Sequence, residues 1–360
     1  SQVLVDWPGG GNIRAMKFVI SHKYEEIVSL DNLLLAWEEF ASEKKKRADV
    51  RIFARALLHN ILLIHRDLTS KAYAHSSYDA FTVSDPKTRN IHKATVRDRL
   101  LHRAVYRVLF PAFNRTFISD SYSCRDDKGT HRAFQQLVMM ARKVSANYTG
   151  PCWAIKMDIK KFFDSIDHEI LLKLLAQRIN DRQLMDLLKM IIGSFEFSPG
   201  KGMPLGNLTS QLFANVYMDP LDKFVKHRLK AKYYLRYADD FLILSSSPEE
   251  LMGYFVEINT FLKEELKLQI HQNKTSLRKL SQGIDFVGYV ALPHYQVPRH
   301  RTVKRIFKKI NSALNEELEK ALPSYLGYIQ HASSRKIKDQ IEYRIRKQSN
   351  NSMLENDPTF

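Results

Sequence analysis

Apolar positions along the chain change period several times, and each change marks an element. Leu30, Leu33, Leu34 and Trp37 recur at helical spacing, with Ser29 and Asp31 as capping residues. A second apolar helix is expected over 52–64, and a third through Leu100, Leu101, Ala104, Val105 and Val108 to Pro111. Between them residues 78–93 read as extended, with a turn at Ser84, Asp85 and Pro86. Trp153, Ile155 and Met157 alternate with Ala154 and Lys156, which is the period of a strand. Asp167 then opens a helix with Ile170, Leu171, Leu174 and Leu175 on one face. Residues 212–225 read as a buried helix, 233–237 and 241–244 as β-rich runs around Ala238, Asp239 and Asp240, and 284–291 as a strand containing Gly288. Val303, Ile306, Phe307, Ile310, Leu314 and Leu318 make one helical stripe, which Pro323 separates from a second segment. Strands interleaved with helices predict an α+β domain, a sheet with helices on one side.

Composition narrows the function. The chain has 360 residues, about two domains at ~150 residues each. Residues 1–28, with Pro8 and the glycines at 9–11, read as an appendage, and the missing initiator Met points to a processed or engineered start. The expected divisions are 29–150, 151–298, a basic helical piece at 299–350 and a tail at 351–360. Two cysteines, Cys124 and Cys152, exclude a disulfide framework and a four-cysteine zinc site. No window reaches the ~18 apolar residues of a membrane span, so no membrane association is expected. The formal charge of +17 points to a polyanionic partner. Residues 299–349 carry 13 Lys and Arg against 5 Asp and Glu, +8 of that total, as a helical piece touching a phosphate backbone would. A cytosolic protein handling nucleic acid is the expectation. P-loop, dinucleotide-binding and H-E-x-x-H patterns are absent from the sequence, which leaves NTPase, Rossmann and zinc-protease readings without a foothold.

The sharpest chemical feature is Tyr237-Ala238-Asp239-Asp240. An Asp-Asp pair is expected about once by chance in a chain this long, at ~6% of each charged type, and Asp126-Asp127 is a second such pair. Asp239 and Asp240 differ from that twin in context. Apolar strands on both sides force their carboxylates to a hairpin tip, where they repel unless a cation is near. Asp158, at the end of the 153–157 strand, can project past a sheet edge; if the strands are neighbours, the acids can share two metals ~3.5–4 Å apart for in-line phosphoryl transfer. Taken alone, Asp158 reads as a helix cap. A third stretch, 200–215, places Gly202, Pro204 and Gly206 before an apolar helix whose start carries Ser210 and Gln211. The two glycines would let a flat ligand approach the backbone.

Together the three stretches resemble the reverse transcriptase family. Residues 158–167 match its first catalytic motif, 204–215 its second and 237–240 its third, in order. Residues 85–89, 96–99 and 121–125 are similar to its fingers region and adjoining segments, 266–268 and 273–275 follow, and 284–289 resemble the primer grip; the likeness covers roughly 29–320. It implies a right-hand polymerase fold, with fingers, an antiparallel-sheet palm and a small helical thumb, and RNA-directed DNA polymerase activity. The implied cofactor is a pair of Mg²⁺ ions, replaceable by Mn²⁺, on Asp158, Asp239 and the Ile159 carbonyl, with Asp240 supporting. Lys87 and Arg89 would clamp the triphosphate, Phe163 would lie under the sugar, and Lys274 would protonate pyrophosphate. Leu205, Gly206, Ser210 and Gln211 would line the nucleotide site. Arg125, Lys304, Arg305, Lys308 and Lys309 would meet nucleic acid.

One departure selects a subfamily. Most bacterial members read Gln-Gly and later Ser-Pro where this chain has Leu205-Gly206 and Ser210-Gln211. The form L-G-x-x-x-S-Q resembles enzymes of diversity-generating retroelements, which copy a template RNA with errors at adenines. The implied partners are template RNA, a DNA or RNA primer, deoxynucleoside triphosphates and a small basic accessory protein oligomer, in a prokaryotic or phage-encoded setting. An intron-type enzyme, an antiphage polymerase and an RNA-binding scaffold with a splicing-type function are the alternatives.

Overall fold

The computed structural model describes residues 19–84, 88–312, 315–330 and 335–344. Its elements run α1 (Tyr24–Val28), α2 (Leu30–Ala41), α3 (Ala48–Arg55), α4 (Leu57–Thr69), β1 (Asp79–Val83), β2 (Arg89–Lys93), α5 (Val96–Asn114) and α6 (Thr130–Val144). Then come β3 (Trp153–Asp158), α7 (Phe162–Ser165), α8 (His168–Ala176), α9 (Arg182–Gly193), α10 (Leu208–Lys223), β4 (Tyr234–Tyr237), β5 (Asp240–Ser245) and α11 (Pro248–Glu265). Next come β6 (Ser276–Lys279), β7 (Ile284–Phe286), β8 (Tyr289–Leu292), β9 (Tyr295–Pro298), α12 (His300–Ser312) and α13 (Asn315–Gln330), and residues 335–344 are helical as well. They form two compact units.

The first unit takes residues up to Ile118, Ile159–Phe224 and Ile258–Ile270. Short polar side chains set its helix starts. The Ser29 hydroxyl accepts the Asn32 amide, Thr95 that of Asp98, Asp167 that of Ile170 and Asp181 that of Leu184, satisfying amides that a helix cannot pair internally. The core gathers Leu33, Ile61, Ile64, Leu100, Leu101 and Val105 with α10, which is buried on nearly every side and packs on α5 and α8. The expected helix over 52–64 is two helices, α3 and α4, meeting at Ala56. Pro111 does not end α5, which runs on to Asn114. β1 and β2 pair antiparallel as an exposed hairpin; the Asp85 and Pro86 of the expected turn, and Lys87 after them, lie outside the described residues.

The second unit takes Ser119–Asp158, Val225–Glu257 and the chain from His271. Its four-stranded sheet has the order β4-β5-β3-β6, every pair antiparallel. Helix α6 covers one face: Ala133, Phe134, Leu137 and Ala141 pack with Ala154, Leu235, Leu242 and Leu244. A second sheet, β7-β8-β9, adds Ile284, Phe286, Tyr289 and Ala291 to that core. The single strand expected over 284–291 is therefore a hairpin, turning at Val287 and Gly288, both at positive φ (41° and 100°). Ile306 and Ile310 of α12 form a small core with Leu322, Tyr325, Leu326 and Ile329 of α13. Pro323 lies inside α13 and does not separate two segments. A proline in a helix interior costs about 3 kcal/mol, and the packing of Tyr325, Leu326 and Ile329 just after it works against that cost. Among the described residues no helix is long and apolar enough to cross a membrane.

Candidate active site

Alternation along β3 sends Ala154 into the core and leaves Lys156 and Asp158 half-buried at the strand's far end. Antiparallel register sets Asp158 directly opposite Asp240, the first residue of β5. The turn between β4 and β5 is Ala238-Asp239, with Ala238 at φ 56°. Asp158, Asp239 and Asp240 thus come to one end of one sheet, as the sequence motifs require.

Three cationic side chains order this end. Lys156 Nζ lies 2.9 Å from Asp240 Oδ2 and donates to the Asp285 carbonyl at 3.1 Å, tying the acid to β7. Lys274 Nζ lies 2.5 Å from Asp158 Oδ1. A short 3₁₀ turn at Gln272–Lys274 delivers it, anchored where the His271 amide donates to the Asp158 carbonyl at 2.7 Å. Arg236, with 0% exposure, donates from Nη1 to the Ala238 carbonyl (2.9 Å) and from Nη2 to Ser121 Oγ (3.1 Å). Its backbone pairs with Asp120 and Tyr122, so the 121–125 stretch edges β4. Arg125 Nη1 donates to the Ser121 carbonyl at 2.9 Å. Lys156 and Arg236 were not singled out by sequence reasoning; the signal for Lys156 was its position two residues before Asp158 on the same face of a strand.

Burial pushes the Asp240 carboxyl up to about 6, against the pull of Lys156 and with Asp158 and Asp239 adding to the rise. Asp240 Oδ1 is buried with no hydrogen-bond partner. An orphan carboxylate oxygen beside two further acids is the electrostatic profile of a cation-binding end. Among the described residues no three His, Cys, Asp or Glu side chains converge on one point as a metal cage. Mg²⁺ does not need one: it takes one or two carboxylates and completes its shell with water and substrate phosphate. The donor set fits such an ion.

The remaining nucleotide-site candidates belong to the first unit. Backbone bonds tie Met203 to Phe163 (2.8 Å) and Gly202 to Ile166 (2.8 Å), while the His92 amide donates to the Leu205 carbonyl at 3.3 Å. Phe163, Leu205 and β2, which begins at Arg89, are thereby gathered around one loop. Leu205 is half-buried, Gly206 and Gln211 are exposed, and Ser210 is 1% exposed with its hydroxyl unpartnered. The glycines serve the chain itself. A Cβ at Gly202 (φ 116°) would lie 2.7 Å from the Phe197 nitrogen, and one at Gly206 (φ 102°) 3.2 Å from Ile91. At Gly202 the direction a Cβ would take is filled by Phe197.

Lys304 and Lys308 are exposed on α12, whose opposite face is the Ile306 and Ile310 core; Arg305 is half-buried and Lys309 exposed.

A family model described as "Reverse transcriptase (RNA-dependent DNA polymerase)" matches residues 84–291. Protein YkfC of Escherichia coli is 25% identical over 244 residues, covering 57% of this chain and 64% of that protein. The group II intron-encoded protein LtrA of Lactococcus lactis is 26% identical over 305 residues, 66% of this chain and 49% of LtrA. The mitochondrial nuclear intron maturase 3 of Arabidopsis thaliana is 25% identical over 228 residues, 53% of this chain and 30% of the maturase. The chain therefore spans from under a third to just under two thirds of these relatives' length. Among solved structures, apo telomerase from Candida tropicalis, truncated from its C-terminal domain, aligns with a TM-score of 0.48 and 13% identity over 65% of this chain and 59% of that one.

Proposed function

Because the chain belongs to the reverse transcriptase family, with its right-hand polymerase fold, we propose that it copies template RNA into DNA, and that it does so as the error-prone polymerase of a diversity-generating retroelement. The observation that carries the first part is the meeting of Asp158, Asp239 and Asp240 at one sheet end, with an unpartnered carboxylate oxygen. The second part rests on Leu205-Gly206 and Ser210-Gln211 standing where most bacterial members carry Gln-Gly and Ser-Pro.

Asp158 and Asp239, with the Ile159 carbonyl, would hold the divalent cations, Mg²⁺ or Mn²⁺. Bound there, such ions supply Lewis-acid charge that activates a primer hydroxyl and stabilises departing pyrophosphate. Asp240, held to Lys156, keeps the turn in register and adds negative potential. Lys274, paired with Asp158 at this sheet end, would give a proton to pyrophosphate. Arg89 and Lys87 would grip the triphosphate, Arg by forked hydrogen bonds and Lys as a point charge. Template RNA, primer and deoxynucleoside triphosphates are the substrates, and a small basic accessory protein oligomer is the expected partner.

The basic face of α12 would follow phosphates. Reversing the charges of Lys304, Arg305, Lys308 and Lys309 is expected to flatten the salt dependence of hybrid binding, by about 0.7–0.9 in log–log slope for each phosphate no longer neutralised. Titrating RNA–DNA hybrid against both proteins from low to moderate salt reads it; equal slopes would remove α12 from the nucleic-acid surface.

The fidelity claim has its own test. A glutamine amide at position 205 could help orient the incoming base; leucine offers neither donor nor acceptor. The loss of one net hydrogen bond, ~1 kcal/mol, is several-fold in misincorporation at ~1.4 kcal/mol per decade. Leu205→Gln is expected to lower errors at template adenines more than elsewhere. Sequencing cDNA from both proteins on one RNA decides: identical error spectra would end the role of Leu205. A second reading, an intron-type enzyme, is favoured by the intron-encoded relatives. Accurate copying of adenines by the unmodified chain would support it over the retroelement reading.

A further inference from the structure

The first turn of α10 lacks the usual anchor. Its N-cap residue, Asn207, makes no side-chain capping bond: Asn207 Nδ2 donates instead to the His92 carbonyl at 3.3 Å, and Oδ1 is buried without a partner. A helix start left in this state needs another restraint. The restraint present is Thr209, 1% exposed, whose hydroxyl lies 2.8 Å from Nδ1 of His102 on α5. His102 is 2% exposed, and its Nε2 lies 3.0 Å from Nε2 of His75. His75 Nδ1 in turn lies 2.6 Å from the Ser76 carbonyl oxygen.

With His75 neutral, that carbonyl sets the direction of every proton along this line of side chains. A carbonyl only accepts, so His75 carries its proton on Nδ1, and in the neutral ring Nε2 is an acceptor. His102 must then donate from Nε2, which leaves its Nδ1 bare to accept the Thr209 hydroxyl. Tyr78, whose hydroxyl lies 3.3 Å from His75 Nε2, does not compete with His102 for that nitrogen. Ser194 gives its hydroxyl proton to the Ile191 carbonyl at 2.6 Å, so Tyr78, 2.9 Å away, donates to Ser194. Asp98, fully buried beside His75, is already served by the Tyr73 and Thr95 hydroxyls and the Ser76 amide. Burial pushes the His102 ring down to about 3, so it is neutral at working pH.

We propose that His102 is a positioning residue: through Thr209 it locks the first turn of α10, and with it the Leu205–Gly206 loop, in the orientation that meets the incoming nucleotide. The geometry is one directed line, Thr209 to His102 to His75 to Ser76, with one donor for each acceptor. It runs from the backbone before β1 to the helix start just after Leu205. The link to nucleotide rests on the proposed polymerase reading; the locking of the helix start does not.

The test uses the whole chain and two readouts. Thr209→Val keeps shape and removes the hydroxyl, His102→Phe keeps a ring and removes both nitrogens, and His102→Gln retains an acceptor and a donor. Hydrogen exchange over residues 203–212 is expected to quicken about fivefold in the first two variants, the worth of one net hydrogen bond, and to stay near wild type in His102→Gln. In single-nucleotide addition on primed RNA, the nucleotide KM should rise by a similar factor in the first two, with kcat and hybrid affinity within about twofold and KM near wild type in His102→Gln. Unchanged exchange in Thr209→Val overturns the lock, and so does a His102→Gln variant as perturbed as His102→Phe. Altered exchange with unchanged KM overturns the link to nucleotide. If the wild type adds no nucleotide, the polymerase reading fails, and the exchange measurement still decides the role of His102. Should His102→Phe fail to fold, Thr209→Val carries both readouts.

Discussion

Replacing Asp239 by Asn is expected to lower RNA-templated primer extension by about 10³-fold or more, because charge aimed at a developing transition state is the largest single contribution a polymerase site makes. The substitution keeps shape and hydrogen-bonding reach and removes one negative charge at the tip of the β4–β5 hairpin. Asp158→Asn should do the same from the facing strand. Single-turnover addition of one nucleotide, at saturating hybrid, separates this loss from weakened binding. Near-normal extension by either variant would contradict the site assignment. Thermal unfolding should move little: fewer like charges at this sheet end relieve repulsion, and Lys274 loses its partner in Asp158→Asn.

The second large effect is expected in stability. Arg236 is fully buried and its guanidinium serves the Ala238 carbonyl and Ser121 Oγ. Arg236→Met fills similar volume but leaves those acceptors unserved in a dry environment, at about 1–3 kcal/mol each. A loss of about 2–4 kcal/mol is expected, read as a lower urea midpoint at unchanged slope. Extension should fall as well, since Asp239 hangs on the turn that Arg236 holds. Arg236→Lys can reach only one acceptor at a time and should recover part of the loss. Full stability in Arg236→Met would mean that the hairpin tip needs no buried brace.

Which features were legible in the sequence follows from the range of the forces involved. The strand at 153–157 and the hairpin around Asp239 were legible because alternation and flanking apolar runs are local. Asp167 as the cap of α8 was legible for the same reason. The turn at Val287-Gly288 was hidden, because a β-branched residue at positive φ is uncommon and the flanking residues read as one continuous strand. Pro111 and Pro323 looked like helix ends, yet both helices run through them; around Pro111 the buried Leu109, Phe110 and Phe113 carry the helix on. Lys156 and Arg236 acquire meaning only through cross-strand register, which brings Asp240 and Ser121 to them. The His75–His102 pair joins residues 27 positions apart in sequence through packing, so scattered histidines gave no sign of it.

The central claim is that this sheet end builds DNA on an RNA template. The most direct measurement is the sequence of DNA made by the purified full chain from deoxynucleoside triphosphates and Mg²⁺, on a primed RNA of known sequence and with the RNA withheld. The account predicts product complementary to the RNA, with substitutions concentrated opposite adenines, and none without template. Product of equal amount and unrelated sequence in both reactions would contradict it.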